Sequence, residues 1–427
     1  MQMIFKKLVG HLQFNYTNYF IFLLLDKIFN VIFSLYIVKL LTESEYGIYG
    51  FTISFSSFAS NILLLGIATP IVVIIGKNPN LKENFEEILV KLISVSFILY
   101  VVFAGIIILK LDWVSQIFYN DIKNSFFLFV LLTMVFSDII ISYRTIHFRL
   151  FDRFVDNARF ILQLNLIKIL VFVAILFVTE NFFYAFYASS FCTLIFVVFS
   201  YDFFWKLYRK FIWKTGSENF RMARSILIEG LPFLVIYILM NFSLYLINFL
   251  IVDKLSLESY ATYNFNFTCA FLPMSFISYV VFYSFQNFVT DASESKFTRQ
   301  VFSDLSLGLF GIVIYYVFFW LAYDYILDFV GKGAYSNFSL FTLIYISMVM
   351  TAVSNFLYFP LYKDRRYSRI IFVTGLSVLV NITYLFLNEE FQITTPSIGL
   401  ILSLLVIILL FLISINERKV SIHSTSK

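Results

Sequence analysis

Long apolar runs separated by short polar loops dominate this chain of 427 residues. Each run approaches or exceeds the roughly 20 residues that a helix needs to cross a bilayer. We place twelve such spans, six in each half of the chain. The first six are 14–40, 46–75, 87–109, 125–148, 158–179 and 182–205, and the second six are 225–252, 260–288, 302–322, 338–362, 370–387 and 397–415. The pattern predicts an all-α polytopic membrane protein.

The two halves of the chain repeat one another at a fixed distance. The polar turn with Tyr46 and Tyr49 has a second copy with Tyr260 and Tyr263, each 214 positions further along. The segment 125–137 matches 339–351 at the same offset without gaps, which indicates a tandem duplication. Because six spans per half is an even number, both halves run in the same direction across the membrane. This predicts a parallel repeat, with two six-helix bundles related by an axis along the membrane normal.

The distribution of Lys and Arg predicts the orientation and the domain boundary. These residues concentrate in the terminal segments and the even-numbered loops, which places both termini in the cytoplasm. The most basic loop lies in the middle of the chain. We therefore expect an N-terminal bundle (1–206), a basic cytoplasmic linker (207–224), a C-terminal bundle (225–415) and a cytoplasmic tail (416–427).

Composition excludes a water-soluble fold and gives no sign of a cofactor. Hydrophobic residues make up 60% of the chain and charged residues only 13%, against about 25% charged in soluble domains. Cys192 and Cys269 lie far apart in apolar runs, and the three histidines have no metal-ligand spacing. The net charge of +5 is accounted for by the basic loops, so nucleic-acid binding is not predicted.

Four charged residues lie in the middle of predicted spans: Asp26, Lys27, Asp138 and Lys168. Each costs about 2.5–3.5 kcal/mol at the bilayer centre, so each needs a partner or water. One interpretation is structural ion pairing, for example of Asp138 with Lys168. The other is a polar cavity, which is favoured because the counterparts in the second half are uncharged. At the offset of 214 these counterparts are Met240, Asn241, Ala352 and Ile382.

The first span carries two polar faces, and periodicity does not choose between them. Lys27 and Ser34 share one face, and their counterparts Asn241 and Asn248 repeat it in the seventh span. Those equivalent faces would line one central cavity. The other face consists of Asn15, Tyr19, Asp26 and Asn30.

Two further features leave alternatives open. Arg144 lies one turn from the predicted cytoplasmic end of its span, where it could bind an anionic headgroup or extend to the interface. Pro70 and Pro273 lie in the corresponding second and eighth spans, and Gly66 precedes the first of them. These breaks would serve either as hinges or as static kinks.

The sequence around the first repeat resembles a known family. The run LTESEYGIYG (41–50), followed by a span ending in LLLGIATP (63–70), is similar to the opening of the flippases that export lipid-linked O-antigen and capsule units. The run FVGKGAY (329–335) resembles their second-half pattern. These flippases belong to the multidrug/oligosaccharidyl-lipid/polysaccharide (MOP) superfamily. The resemblance implies two lobes that form a V around a central cavity, which opens alternately to each side of the bacterial cytoplasmic membrane.

The resemblance also implies a cargo and roles for the charged residues. The cargo would be an undecaprenyl-pyrophosphate-linked oligosaccharide, the repeat unit of O-antigen, capsule or exopolysaccharide. Residues expected to attract the pyrophosphate or line the cavity are Lys27, Lys168, Arg144, Asn241 and Asn248. Residues expected to carry H⁺ or Na⁺ in exchange are Asp26 and Asp138. Membrane lipids and polysaccharide polymerase machinery are the other expected partners.

Two alternatives to a flippase remain. One is a multidrug or cation antiporter of the same superfamily. The other is a polytopic polysaccharide polymerase, which is disfavoured because the predicted outward loops are short and contain no histidine.

Overall fold

The computed structural model describes residues 14–66, 71, 79–119, 125–151, 153–200, 217–290, 294–331, 333–363 and 366–425. Within these ranges the chain forms α-helices, one short 3-10 helix and no strand. The first half contains α1 (Phe14–Leu40), α2 (Glu43–Leu63), α3 (Pro79–Leu109), α4 (Leu111–Tyr119), α5 (Phe126–Leu150), α6 (Phe154–Thr179) and α7 (Phe182–Phe199). The second half contains α8 (Ser217–Lys254), α9 (Leu257–Thr290), α10 (Glu294–Val330), the 3-10 helix (Gly333–Tyr335), α11 (Phe338–Lys363), α12 (Tyr367–Leu387) and α13 (Thr395–Thr425).

Each predicted span corresponds to one of these helices. Most helices extend beyond the apolar run, because a helix continues through polar turns that lie outside a bilayer. The clearest case is α10, which covers Glu294–Val330 where the apolar run covers 302–322. Among the described residues, seven helices are long and apolar enough to cross a membrane. The prediction of an all-helical polytopic fold is confirmed, and the number of twelve crossings stays a prediction.

The second predicted span differs from the structure at its carboxyl end. Helix α2 ends at Leu63, well before residue 75. Leu65 and Gly66 have positive φ angles of 53° and 62°, in the left-handed region that ends a helix. Glycine adopts this region freely, whereas a leucine there costs roughly 1–2 kcal/mol. The break therefore precedes Pro70, which lies outside the described residues, while Pro273 lies within the continuous helix α9.

The chain divides into two compact units. The first unit consists of Met1–Leu41 and Thr52–Gly230, and the second of Thr42–Phe51 and Leu231–Lys427. The turn after α1 and the start of α2 therefore pack with the second unit, although the chain on both sides belongs to the first. Part of the predicted linker, from residue 217 onward, is the beginning of α8, and much of the predicted tail continues α13.

The repeat is visible in the backbone as well as in the sequence. Arg153 and Arg366 precede α6 and α12 with nearly the same conformation, φ −92° and ψ 48° against φ −83° and ψ 53°. Their N–H groups donate to the carbonyls of Phe148 and Leu361 at 2.8 and 2.9 Å. All these pairs are 213 positions apart rather than 214. The gapless offset of 214 predicts Ile382 as the counterpart of Lys168. The structure instead gives Asn381, at an offset of 213.

Candidate functional site in the first unit

The carboxylate of Asp26 is held by two amides inside the first unit. It lies on α1 and is only 1% exposed. Its Oδ1 accepts a hydrogen bond from Nδ2 of Asn165 on α6 at 2.6 Å and another from Nδ2 of Asn30 at 3.1 Å. A buried charge is tolerated only where it is hydrogen-bonded and paired. These bonds therefore explain how Asp26 can lie, buried, near the middle of the apolar helix α1.

Lys27 is an ion-pair partner of Asp26, and its side chain is partly exposed. Its Nζ lies 3.8 Å from Oδ2 of Asp26, at the long end of the range for an ion pair. The Lys27 side chain is 25% exposed, against 2% for that of Asp26. Lys27 is therefore the member of the pair that can change partner without unpacking the helix interface.

The structure shows which polar face of α1 packs within the unit. Asp26 and Asn30 face α6 through the Asn165 bond, and the same helix stripe continues with buried Phe33. The Phe33 ring meets the edge of Phe172 on α6, with centroids 5.6 Å apart. Spacings of three and four residues place these α1 side chains on one side of the helix. The face with Asp26 is thus a packing face, and Lys27 lies at its margin.

A second acidic residue and a second basic residue lie on the neighbouring helices α5 and α6. Asp138 and Lys168 are both half-buried and attract one another electrostatically. The Ser56 hydroxyl on α2 lies 3.4 Å from Oδ2 of Asp138, but its one proton also has the backbone carbonyl of Ile53 at 2.9 Å as an acceptor. Asn165 and Lys168 are three residues apart, so α6 directs them to the same side. Helix α6 therefore carries both the amide that bonds Asp26 and a lysine whose charge acts on Asp138.

Arg144 lies in another part of the same unit. Its side chain is 9% exposed, so it is buried rather than extended to the interface. Nη1 donates to the Ser200 hydroxyl at 3.0 Å, and the guanidinium lies 3.3 Å from the ring centroid of Phe160. A planar guanidinium stacks well on an aromatic face. Arg144 thus ties α5 to α6 and to the end of α7.

Asn241 and Asn248 lie on α8 in the second unit, and both are half-buried. Nδ2 of Asn241 donates to the backbone carbonyl of Tyr237 at 2.8 Å, one turn earlier in the same helix. That bond engages the Nδ2 end of the amide within its own helix turn.

Two residues beside the acidic groups are not among those predicted from the sequence: Asn165, which bonds Asp26, and Ser56, which lies next to Asp138. An amide three residues before Lys168 in an apolar span was a usable signal. Ser56 gave none, since serine is common in membrane helices at packing positions.

Comparisons with known proteins assign the family. A family model described as polysaccharide biosynthesis protein matches residues 15–285. The chain belongs to this family. The matched region includes the charged and amide residues described above around the two acidic groups: Asp26, Lys27, Asn30, Asp138, Asn165 and Lys168. A search of curated protein sequences found no match.

Solved structures share the fold of this chain. An inward-facing multidrug resistance MATE family transporter of the MOP superfamily has a TM-score of 0.67 at 14% identity, over 94% of this chain and 96% of that one. An outward-facing conformation of such a transporter has a TM-score of 0.65 at 12% identity, over 96% of each chain. A MOP superfamily transporter from Pyrococcus furiosus Vc1, described as having a binding pocket of reverse polarity, has a TM-score of 0.66 at 12% identity over 94% and 95%.

These similarities confirm the predicted fold class. The protein is a multi-pass membrane protein with the fold of MOP superfamily transporters, and its family is one of polysaccharide biosynthesis. Family and fold together favour a transporter over an enzyme.

Proposed function

We propose that this protein turns a lipid-linked oligosaccharide across the bacterial cytoplasmic membrane, from the cytoplasmic to the outer leaflet. The cargo is an undecaprenyl-pyrophosphate-linked repeat unit of O-antigen, capsule or exopolysaccharide, and both termini lie in the cytoplasm. Membership of a polysaccharide biosynthesis family and the MOP fold support this proposal. The observation that carries it is a partly exposed lysine ammonium beside a buried, amide-bound carboxylate, on the apolar helix α1.

Lys27 is the group best suited to meet the pyrophosphate. Lysine binds phosphate as a point charge and does not need fixed bidentate geometry. At 3.8 Å from Oδ2, the ammonium gives up little when it turns from Asp26 to a phosphate oxygen. Lys168 plays the same part toward Asp138, at a half-buried position one helix away.

The same exchange couples cargo to an ion. When Lys27 engages a phosphate, Asp26 loses its cationic neighbour but keeps the amides of Asn165 and Asn30. A buried carboxylate left with neutral partners is costly, so it takes up H⁺ or Na⁺. The ion is then bound together with the cargo, so in this scheme the two cross in the same direction rather than in exchange. Release of the cargo restores the pair of Lys27 with Asp26 and expels the ion on the same side. Asp138 and Lys168 form a second pair that works on the same principle.

The test is replacement of Lys27 in the native host. We expect deletion of the gene, and Lys27→Ala, to leave lipid-linked repeat units on the cytoplasmic leaflet and to reduce surface polysaccharide. Lys110→Ala is the matched control, because Lys110 lies in the turn between α3 and α4. Normal surface polysaccharide in a strain that lacks the gene would overturn the proposal.

The second candidate is export of small cationic drugs. It is favoured by the solved structures with this fold that are described as multidrug resistance transporters. It predicts that loss of the gene increases drug susceptibility and leaves lipid-linked repeat units unchanged.

A further inference from the structure

The short helix α4 presents an aromatic side chain at the surface of the first unit. It follows α3 after a single turn residue. Val114 and Ser115 are buried, at 5% and 0% exposure, whereas Trp113 is 63% exposed. Asp112 and Gln116 are exposed as well. Spacings of three and four residues put these three exposed side chains on one side of the helix. The exposed face of α4 thus carries an indole, a carboxylate and an amide.

The second half of the chain builds the corresponding stretch differently. At the repeat offset, the start of α4 corresponds to the last turns of α10, which continues without a break to Val330. In those turns Leu327 and Val330 are buried, at 8% and 2% exposure. A feature that the repeated scaffold needed would be present in both halves. The exposed face of α4 is therefore an addition to that scaffold.

The composition of α4 distinguishes it from a helix that only lies on a membrane surface. Such helices carry Lys and Arg on the polar face, where they bind anionic headgroups. Helix α4 has the sequence LDWVSQIFY, without Lys or Arg, and its exposed face carries the carboxylate of Asp112. A negative charge at this place is repelled by anionic headgroups.

A second exposed tryptophan shows the pattern that lipid contact produces. Trp320 on α10 is 59% exposed, and its neighbours Phe318 and Leu321 are exposed at 65% and 62%. Trp113 instead has an exposed acidic residue directly before it and an exposed amide one turn after it. The surroundings of Trp113 therefore suit a polar ligand, and those of Trp320 suit lipid tails.

An indole beside a carboxylate and an amide suits a carbohydrate. One side of a sugar ring consists of C–H groups, which are attracted to the electron-rich face of an aromatic ring. The hydroxyl groups at the edge of the sugar need hydrogen-bond partners. The Asp112 carboxylate accepts such bonds, and the Gln116 amide both donates and accepts.

We propose that the exposed face of α4 binds the oligosaccharide of the cargo on the outer side of the membrane. The Lys and Arg distribution assigns the end of α3 to that side. This step rests on the proposed transport function, because the cargo supplies the sugar. The diphosphate and the saccharide then contact different helices, with Lys27 on α1 meeting the former and Trp113 on α4 the latter. A cargo with a full repeat unit gains a contact that a cargo with one sugar lacks.

Transport of two cargoes in liposomes tests this contact. One cargo carries the full repeat unit and the other a single sugar. Trp113→Leu should slow transfer of the full unit about fivefold, because it removes the aromatic face, and should leave transfer of the single-sugar cargo unchanged. Trp113→Tyr keeps an aromatic ring and should restore transfer of the full unit to within about twofold. The control, Trp320→Leu, should change neither cargo.

Two results of this assay would overturn the proposal. If Trp113→Leu slows both cargoes alike, Trp113 acts as a membrane anchor or a packing residue and not as a sugar contact. If Trp113→Leu slows neither cargo, the exposed face of α4 has no part in handling the saccharide.

Binding of free sugar to the purified protein separates this proposal from the proposed function. Oligosaccharide released from the lipid-linked repeat units of the host is added to a chain whose other three tryptophans are replaced by phenylalanine. We expect a saturable change in Trp113 fluorescence, and Asp112→Asn with Gln116→Ala should weaken binding about fivefold. If loss of the gene leaves lipid-linked repeat units unchanged, the proposed function fails whatever α4 binds. If loss of the gene abolishes export but the oligosaccharide leaves the fluorescence unchanged, only the sugar contact fails.

Discussion

The hydrogen bond between Asp26 and Asn165 can be measured by a double-mutant cycle. We would replace each residue with leucine, singly and together, because leucine removes the polar groups and keeps similar volume. The bond is short, 2.6 Å, and one partner is an acidic group that is 1% exposed. Hydrogen bonds to charged groups contribute about 1.5–3 kcal/mol. Because Asn30 and Lys27 also contact Asp26, we expect a coupling energy of about 2 kcal/mol.

The assay is the free energy of unfolding of the purified protein in detergent, for the original chain and the three variants. Asn165→Leu should be destabilising, because it leaves a buried carboxylate with one partner fewer. Asp26→Leu with Asn165→Leu should recover part of the loss, since no buried carboxylate then lacks a hydrogen-bond donor, although Lys27 loses its carboxylate partner. Asn241→Leu is the control, because the hydrogen bond that its amide donates, to the Tyr237 carbonyl, lies within one turn of α8. Additivity of the two single effects within about 0.5 kcal/mol would refute the reasoning.

Three other changes test separate parts of the structure. Lys168→Met should destabilise the protein because it strands Asp138, and Asp138→Asn in the same chain should restore stability in a thermal unfolding assay. Arg144→Lys should lower the free energy of unfolding by about 1 kcal/mol, because an ammonium loses the stacking on an aromatic ring; no change would show that the stacking is immaterial. Gly47→Ala should reduce export, because a Cβ at this position would overlap the backbone carbonyl oxygen of Leu257 on α9. Gly105→Ala, with open space around it, should leave export unchanged; equal effects of the two changes would contradict the close approach of Gly47 to Leu257.

The helices were predictable because an apolar run of about 20 residues is long enough to cross a bilayer as a helix, and such runs are evident in the sequence. The ends were not, since polar turns beyond the bilayer remain helical without an apolar signal. Helix α8 therefore begins at Ser217 rather than at residue 225. Helix α2 stops early because Leu65 and Gly66 both adopt left-handed conformations. Gly66 and Pro70 marked a break in this span, but nothing in the sequence indicated that Leu65 would leave the helix before them.

The charged members of the site were predictable and their neutral partners were not. A charge in an apolar run is conspicuous, but the choice of Asn165 as the partner of Asp26 depends on which face of α6 meets α1. The offset of 214 also misplaced one counterpart. Because the chain is one residue shorter between the repeats before α6 and α12, the repeat counterpart of Lys168 is Asn381 and not Ile382. Asn381 is fully buried, and its amide atoms have no hydrogen-bond partner within the described part of the chain.

Transport of a lipid-linked oligosaccharide by purified protein in liposomes tests the central claim most directly. Labelled undecaprenyl-pyrophosphate-linked repeat units would be placed in one leaflet, and their arrival in the other would be timed. We expect the protein to speed this transfer, an ion gradient to drive it, and Lys27→Ala to slow it at least tenfold while Lys110→Ala does not. Transfer no faster than in protein-free liposomes would contradict it.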